Sequence, residues 1–284
     1  MQLFFLSTLT MVAFAANSVL NKLAVDGGDI DPASFATIRV LSGAVMLLLL
    51  VRLQGRKLVF LTPRRFIGAG SLILYMIGFS AAYLTLDAGL GALVLFGVVQ
   101  ITMLLISAAR GAPPTPGQAV GALVAFSGLA WALWPSGPVS VDATGAGLMV
   151  LAGIGWGVYT LAGREEPDAL AGTAANFCLA LPLVVLISLA GSSPLAFSFA
   201  GIALAVLSGA VTSGLGYALW YSILPRFSPS MAAIVQLSAP VIALIAGVVL
   251  LGEATSIRLL AGAALVLGGI ALAALSGRKS GVAK

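Results

Sequence analysis

The sequence predicts an all-α integral membrane protein with ten transmembrane helices, arranged as two inverted five-helix repeats. Three observations lead there. Of 284 residues, 60% are hydrophobic and only 8% are charged, too little polar surface to cover a soluble globule of this length. The apolar residues gather into runs of about 20, the length at which a helix crosses the hydrocarbon core of a bilayer. The two halves of the chain also resemble each other weakly at a near-constant shift.

Runs bounded by Gly, Pro or charge place the first five helices at 3–24, 33–53, 66–86, 89–110 and 117–134. The second five fall at 144–163, 169–190, 199–222, 229–251 and 257–276. The run from Leu3 to Leu23 lacks a positively charged start and a small-residue cleavage pattern, so it is expected to be a retained helix. The 34 glycines are spread along the apolar runs, as close helix–helix approach requires. Pro135 to Ala143 (PSGPVSVDA) has the composition of a linker, which puts the first repeat at 1–137 and the second at 138–284.

Lysine and arginine set the orientation. With a cytoplasmic N-terminus, the inner side holds Arg52, Arg56, Lys57, Arg64, Arg65, Arg110, Arg164, Arg226, Arg278, Lys279 and Lys284. The outer side holds only Lys22, Arg39 and Arg258, a split of 11 to 3 that predicts both termini cytoplasmic in a cell inner (plasma) membrane. Tyr83 aligns with Tyr221, and Gly121-Ala122 with Gly262-Ala263, at nearly the same shift. An odd number of helices per copy makes the second enter from the opposite face. Inverted repeats of this kind place a substrate site near the midplane, reached alternately from either side, so transport is the function class implied.

Other classes are disfavoured. One cysteine, Cys178, and no histidine leave no zinc or haem site, so neither metal nor cofactor is expected. An intramembrane enzyme would need a buried acid or histidine to activate a nucleophile. The net charge of +5 lies between apolar runs and on no single face, which argues against nucleic acid. The loops are too short for a receptor or scaffold. Expected partners are the lipid bilayer and a small-molecule substrate, amino acids in the reading below, with the chain a monomer or weak homodimer.

Polar and aromatic residues inside the runs supply the candidate substrate-binding set: Asn17, Tyr75, Phe79, Tyr83, Phe96, Gln100, Trp156, Tyr159, Tyr217 and Gln236. The three amides serve equally well as helix-to-helix glue or as hydrogen-bond partners of a substrate. Spacings of three or four residues put Tyr75, Phe79 and Tyr83 on one helix face, and Trp156 with Tyr159 on another. Trp131, Trp134, Trp220 and Tyr221, near helix ends, read as an interfacial belt, whereas Tyr75, Trp156 and Tyr159 read as cavity lining. Pro240 is the candidate kink or gate. Every ionisable residue is expected at or near a helix end, with Lys22 and Arg39 snorkelling outward. No arginine, lysine or carboxylate is therefore expected at midplane. That favours gradient-driven movement without obligatory proton coupling, with Glu253 as a minority coupling site.

The stretch Pro225 to Gly269 (PRFSPSMAAIVQLSAPVIALIAGVVLLGEATSIRLLAGAALVLGG) resembles the closing pattern of EamA-type repeats in the drug/metabolite transporter superfamily. Its key features are Pro240 inside an apolar helix, the Leu251-Gly252-Glu253 turn and the helix from Gly262 to Gly269. The first half matches more loosely, with Thr102 in place of Pro240 and Gly111-Ala112 in place of Gly252-Glu253. Ten helices with aromatics in the third, sixth and eighth make the chain resemble YddG-type amino acid exporters. That resemblance implies export of amino acids, aromatic and other neutral ones, by alternating access through a central apolar cavity. Export of hydrophobic organic cations or other small metabolites is the alternative.

Overall fold

A computed structural model describes residues 1–111, 114–133, 142–190, 197–227, 235–236 and 238–279. Trp134, the segment at the expected repeat boundary, the side chain of Arg278 and Lys284 lie outside the described residues. The described chain is helical apart from short connections and one antiparallel bridge between Ile30 and Phe197. The helices are α1 (Gln2–Asp26), α2 (Pro32–Leu53), α3 (Pro63–Ala82), α4 (Ala88–Ala109), α5 (Pro116–Leu133), α6 (Ala143–Arg164) and α7 (Ala169–Ala190). They continue with α8 (Phe199–Arg226), α9 (Ser238–Leu251) and α10 (Ile257–Lys279), which makes ten long helices among the described residues, as expected. Within α8 the segment Leu207–Leu215 is wound as a π-helix and the last turn, Leu224–Arg226, as a 3₁₀-helix.

Local chemistry sets the helix starts. Asp31 accepts the amides of Ala33 and Ser34 at 3.1 and 2.9 Å, and Pro32, which has no amide hydrogen to satisfy, opens α2. Asp142 caps α6 through the Gly145 amide, and Ser198 caps α8 through that of Gly201 at 3.0 Å.

Burial shows which solvent the bundle meets. On α2, Phe35, Ala36, Val40, Ala44 and Leu47 are buried, while Leu41, Val45 and Leu49 on the other faces are about half exposed. A helix of a water-soluble protein would carry polar side chains at those outward positions. Exposed large apolar residues recur on every helix, forming a surface suited to lipid. Among the described residues, seven helices, α1–α4 and α6–α8, are long and apolar enough to cross a membrane, and α9 and Ile257–Ala273 of α10 are shorter apolar helices.

The packing is paired. Helix α3 lies on α6 and α1 on α8; α4 also lies on α6 and α1 on α9; α2 meets α7 and α5 meets α10. Exchanging each helix for the one five places along the chain maps this set of contacts onto itself. At the α5–α10 interface a Cβ on Gly121 would strike the Gly269 carbonyl and one on Gly269 the Gly121 carbonyl, and Gly128 and Gly262 oppose each other likewise. Only glycine allows two helix backbones so close.

Polar residues gather at the two ends. At one, Arg56 meets Asp168 at 2.7 Å, Arg110 meets Glu165 at 2.8 Å, and Arg65 grips Glu166 with two bonds of 2.7 and 2.9 Å. Arg56, Arg65 and Arg110 thus share one end of the bundle. At the other end Ser198 donates to Asp29 at 2.7 Å, and Glu253 accepts the first amides of α4.

Candidate functional site

Aromatic rings from both halves meet in the middle of the bundle. Trp156 is the hub, with centroids 4.8 Å from Tyr217, 5.0 Å from Tyr75, 5.5 Å from Tyr159 and 5.8 Å from Phe14. Tyr75 continues the cluster to Phe79 at 5.2 Å, and Phe79 to Tyr83 at 4.9 Å. None of these rings is more than 5% exposed. Ring pairs at such spacings contribute about 0.5–1.5 kcal/mol each beyond the area they bury. The packing of α3, α6 and α8 thus brings Tyr75, Phe79, Tyr83, Trp156, Tyr159 and Tyr217 together in one buried cluster.

Arg39 departs from its sequence expectation. It does not snorkel outward but turns into the aromatic cluster, where it is fully buried. Its Nε donates to Ser213 Oγ at 2.9 Å and its Nη2 to the Tyr75 hydroxyl at 2.9 Å, with the Tyr217 hydroxyl further off at 3.4 Å. The guanidinium carbon lies 5.0 Å from the Phe79 ring centre and 5.3 Å from that of Tyr75. The reason is positional: Arg39 is the eighth residue of α2, roughly 10 Å in from its start, and shares the buried face of Phe35, Ala36, Val40, Gly43 and Leu47. Among the described residues no carboxylate is ion-paired with it, and Nη1 has no hydrogen-bond partner. Removing such a charge from water costs several kcal/mol, which neutral hydroxyls and ring faces offset only in part.

Behind Arg39 stands a second polar layer. The Asn17 side-chain carbonyl accepts from Ser208 at 2.8 Å, Thr212 at 2.6 Å and Ser213 at 3.3 Å. The Asn17 amide donates to the Ala13 carbonyl at 3.3 Å. Asn17 therefore ties α1 to the π-segment of α8 and reaches Arg39 through Ser213. π-segments are rare and often sit at functional sites, because the extra residue per turn re-aims side chains. Asn17 is a sequence candidate but its partners Ser208, Thr212 and Ser213 are not, although the run Ser208-Gly209 and Thr212-Ser213-Gly214 is unusually polar and small for a transmembrane helix.

The remaining candidates lie on α4 and around the start of α9. Phe96 is buried on α4 and Gln100 half-buried on it, and among the described residues neither joins the ring contacts or hydrogen bonds of the cluster. Gln236 is buried before α9, and Pro240 is buried in the first turn of that helix. Trp220 and Tyr221 are not belt residues: they are 1% and 6% exposed, because α8 runs on to Arg226 and leaves them a turn deeper than expected. Trp131 is exposed. An apolar cavity of about 590 Å³ lies to one side, between α4, α5 and α6, lined by residues such as Val98, Leu105, Phe126 and Ile154.

Apolar helices whose described charged side chains lie at the helix ends, apart from the buried Arg39, define a multi-pass membrane protein. The model of the EamA-like transporter family matches residues 143–275, from the start of α6 through most of α10. Over 270 residues the chain is 47% identical to Uncharacterized protein PA1977 of Pseudomonas aeruginosa, covering 94% of this chain and 92% of the relative. A solved structure described as "Crystal structure of protein" shares the fold with a TM-score of 0.67 at 22% identity, covering 95% of this chain and 99% of the other. Residues 143–275 therefore form an EamA-like transporter domain within a multi-pass membrane protein.

Proposed function

We propose that the protein exports amino acids, aromatic and other neutral ones, from the cytoplasm across the inner membrane by alternating access, as YddG-type exporters do. The observation that carries this reading is the Trp156 cluster, drawn from α1, α3, α6, α7 and α8, so that both halves contribute to one wall. The reading takes the halves as inverted repeats, 1–137 and 138–284, with both termini cytoplasmic and the chain working as a monomer or weak homodimer. The pairing of contacts under exchange of helices five apart supports it. So does the clustering of Arg56, Arg64, Arg65 and Arg110 at one end, as the positive-inside rule requires of a cytoplasmic face. In this mechanism the halves rock about the cluster, breaking the Arg65–Glu166 contact to open inward and the Glu253–α4 contact to open outward.

Proton coupling is not obligatory in this mechanism. All nine carboxylates lie at helix ends or in connections, so none stands beside the cluster to relay a proton. Export of hydrophobic organic cations is the weaker reading, because a buried guanidinium at the wall repels them. Efflux from proteoliposomes tests the proposal: tryptophan, phenylalanine and a neutral aliphatic amino acid should exit down their gradients with no pH difference imposed. Efflux of a quaternary ammonium in place of the amino acids would overturn it.

A further inference from the structure

We infer that Arg39 is the anchor for a substrate carboxylate, so that the transporter selects molecules carrying that group and leaves the rest of the molecule to the aromatic wall. This inference rests on the amino acid export reading and names the part of the substrate that Arg39 holds.

Three observations carry it. The guanidinium is fully buried, yet its partners Ser213, Tyr75 and Tyr217 are all neutral, and Nη1 has no partner. A buried arginine serving only to hold helices together would be expected to face a carboxylate. The chain builds that arrangement elsewhere, where Arg65 takes Glu166 in a two-bond grip. Arg39 also sits where the substrate wall is, 5.0 Å from the Phe79 ring centre and hydrogen-bonded to Tyr75, which packs on Trp156.

The geometry leaves room in the chemistry for a carboxylate. Guanidinium presents five N–H donors, and the fork of Nη1 and Nη2 matches the two oxygens of a carboxylate. The Nη2 contact to Tyr217, at 3.4 Å, is the longest of the set and the one a carboxylate oxygen replaces. Ser213 keeps Nε fixed meanwhile, itself held by Asn17. Gly43 and Gly209 let α2 and α8 approach closely here: a Cβ on Gly209 would overlap the Arg39 backbone carbonyl, and one on Gly43 would crowd that of Gly209. A substrate bound this way directs its side chain toward Trp156 and Tyr217. The same arrangement accounts for selection by the shared carboxylate with tolerance of different side chains.

The test uses purified full-length protein in detergent, read by thermal stabilisation, together with counterflow of labelled tryptophan in proteoliposomes. The probes are tryptophan, indole-3-propionate, which keeps the carboxylate and lacks the ammonium, and tryptamine, which keeps the ammonium and lacks the carboxylate. Tryptophan and indole-3-propionate should stabilise the wild type and tryptamine should not. Arg39→Gln should weaken carboxylate binding by roughly tenfold to a hundredfold, the range expected for losing hydrogen bonds to a charged group. Arg39→Lys should lie between, keeping the charge but not the fork. Without ligand, Arg39→Gln should melt no lower than the wild type, whereas loss of a merely structural arginine would lower it. Equal stabilisation by tryptamine, stabilisation that chloride reproduces at equal concentration, or no effect of any carboxylate on the wild type overturns the inference, and the wild-type panel decides this even if the variants misfold. Indole-3-propionate binding that depends on Arg39 without any tryptophan flux would sink amino acid export and leave the carboxylate site standing.

Discussion

Glu253 Oε2 accepts the backbone amide of Gly89 at 3.2 Å while Oε1 accepts that of Ala88, so a turn of the second half closes the first turn of α4. Gly247 makes this possible, since a Cβ there would overlap the Glu253 carboxylate. Half-burial raises the Glu253 carboxyl above its ordinary value, an effect that the amides of Ala88 and Gly89 reduce without cancelling and that Asp87 reinforces. A carboxyl so shifted favours the folded state fully below its ordinary pKa and loses that contribution as pH rises through the raised value. The melting temperature of the wild type relative to Glu253→Gln should therefore fall as pH rises above the ordinary carboxylate range. A difference that grows with pH would contradict this. Glu253→Ala, which leaves both amides uncapped, should destabilise by about 1–2 kcal/mol.

The two kinds of ion pair at the arginine-rich end should behave differently. Arg65 and Glu166 are 7% and 12% exposed, so Arg65→Ala strands a buried carboxylate and should lower stability by about 3 kcal/mol or more. Arg110 and Glu165 are 58% and 51% exposed, and Arg110→Ala should change stability by less than about 1 kcal/mol. Thermal unfolding of the two variants in detergent checks this. Equal losses would mean that burial does not govern the inner clamp.

Sidedness follows from the charge split. In a background with Cys178 replaced by serine, a cysteine at Lys57 should react with an impermeant thiol reagent only from the cytoplasm. One at Ala254, in the turn between α9 and α10, should react only from outside. The reverse pattern would invert the orientation and with it the direction of the proposed export.

Much of this was legible in the sequence, for reasons that differ by residue. The ten apolar runs were readable because a bilayer demands about 20 apolar residues in each crossing, a constraint that leaves few alternatives. Helical spacing puts Tyr75 with Phe79 on one face and Trp156 with Tyr159 on another, but it does not say that the two faces meet. Arg39 was misread because a long side chain a third of the way along a helix can bend outward or inward with similar reach, and proximity to an end was taken to decide it. The period of α2 held the answer: Phe35, Ala36, Arg39, Val40, Gly43 and Leu47 share a face, and Arg39 is the one charge on it. The π-segment left no comparable trace, since Ser208, Thr212 and Ser213 come to one side of Asn17 only when α8 widens between Leu207 and Leu215.

The central claim is that the rings around Trp156 form the wall against which a transported amino acid rests, and the most direct measurement is flux of tryptophan and alanine through Trp156→Ala in proteoliposomes. The account predicts that tryptophan flux falls several-fold at equal protein density while alanine flux falls much less, because the lost ring contacted the substrate side chain and not its shared backbone groups. Unchanged flux of both amino acids through Trp156→Ala at wild-type abundance would contradict the claim and reduce the cluster to packing.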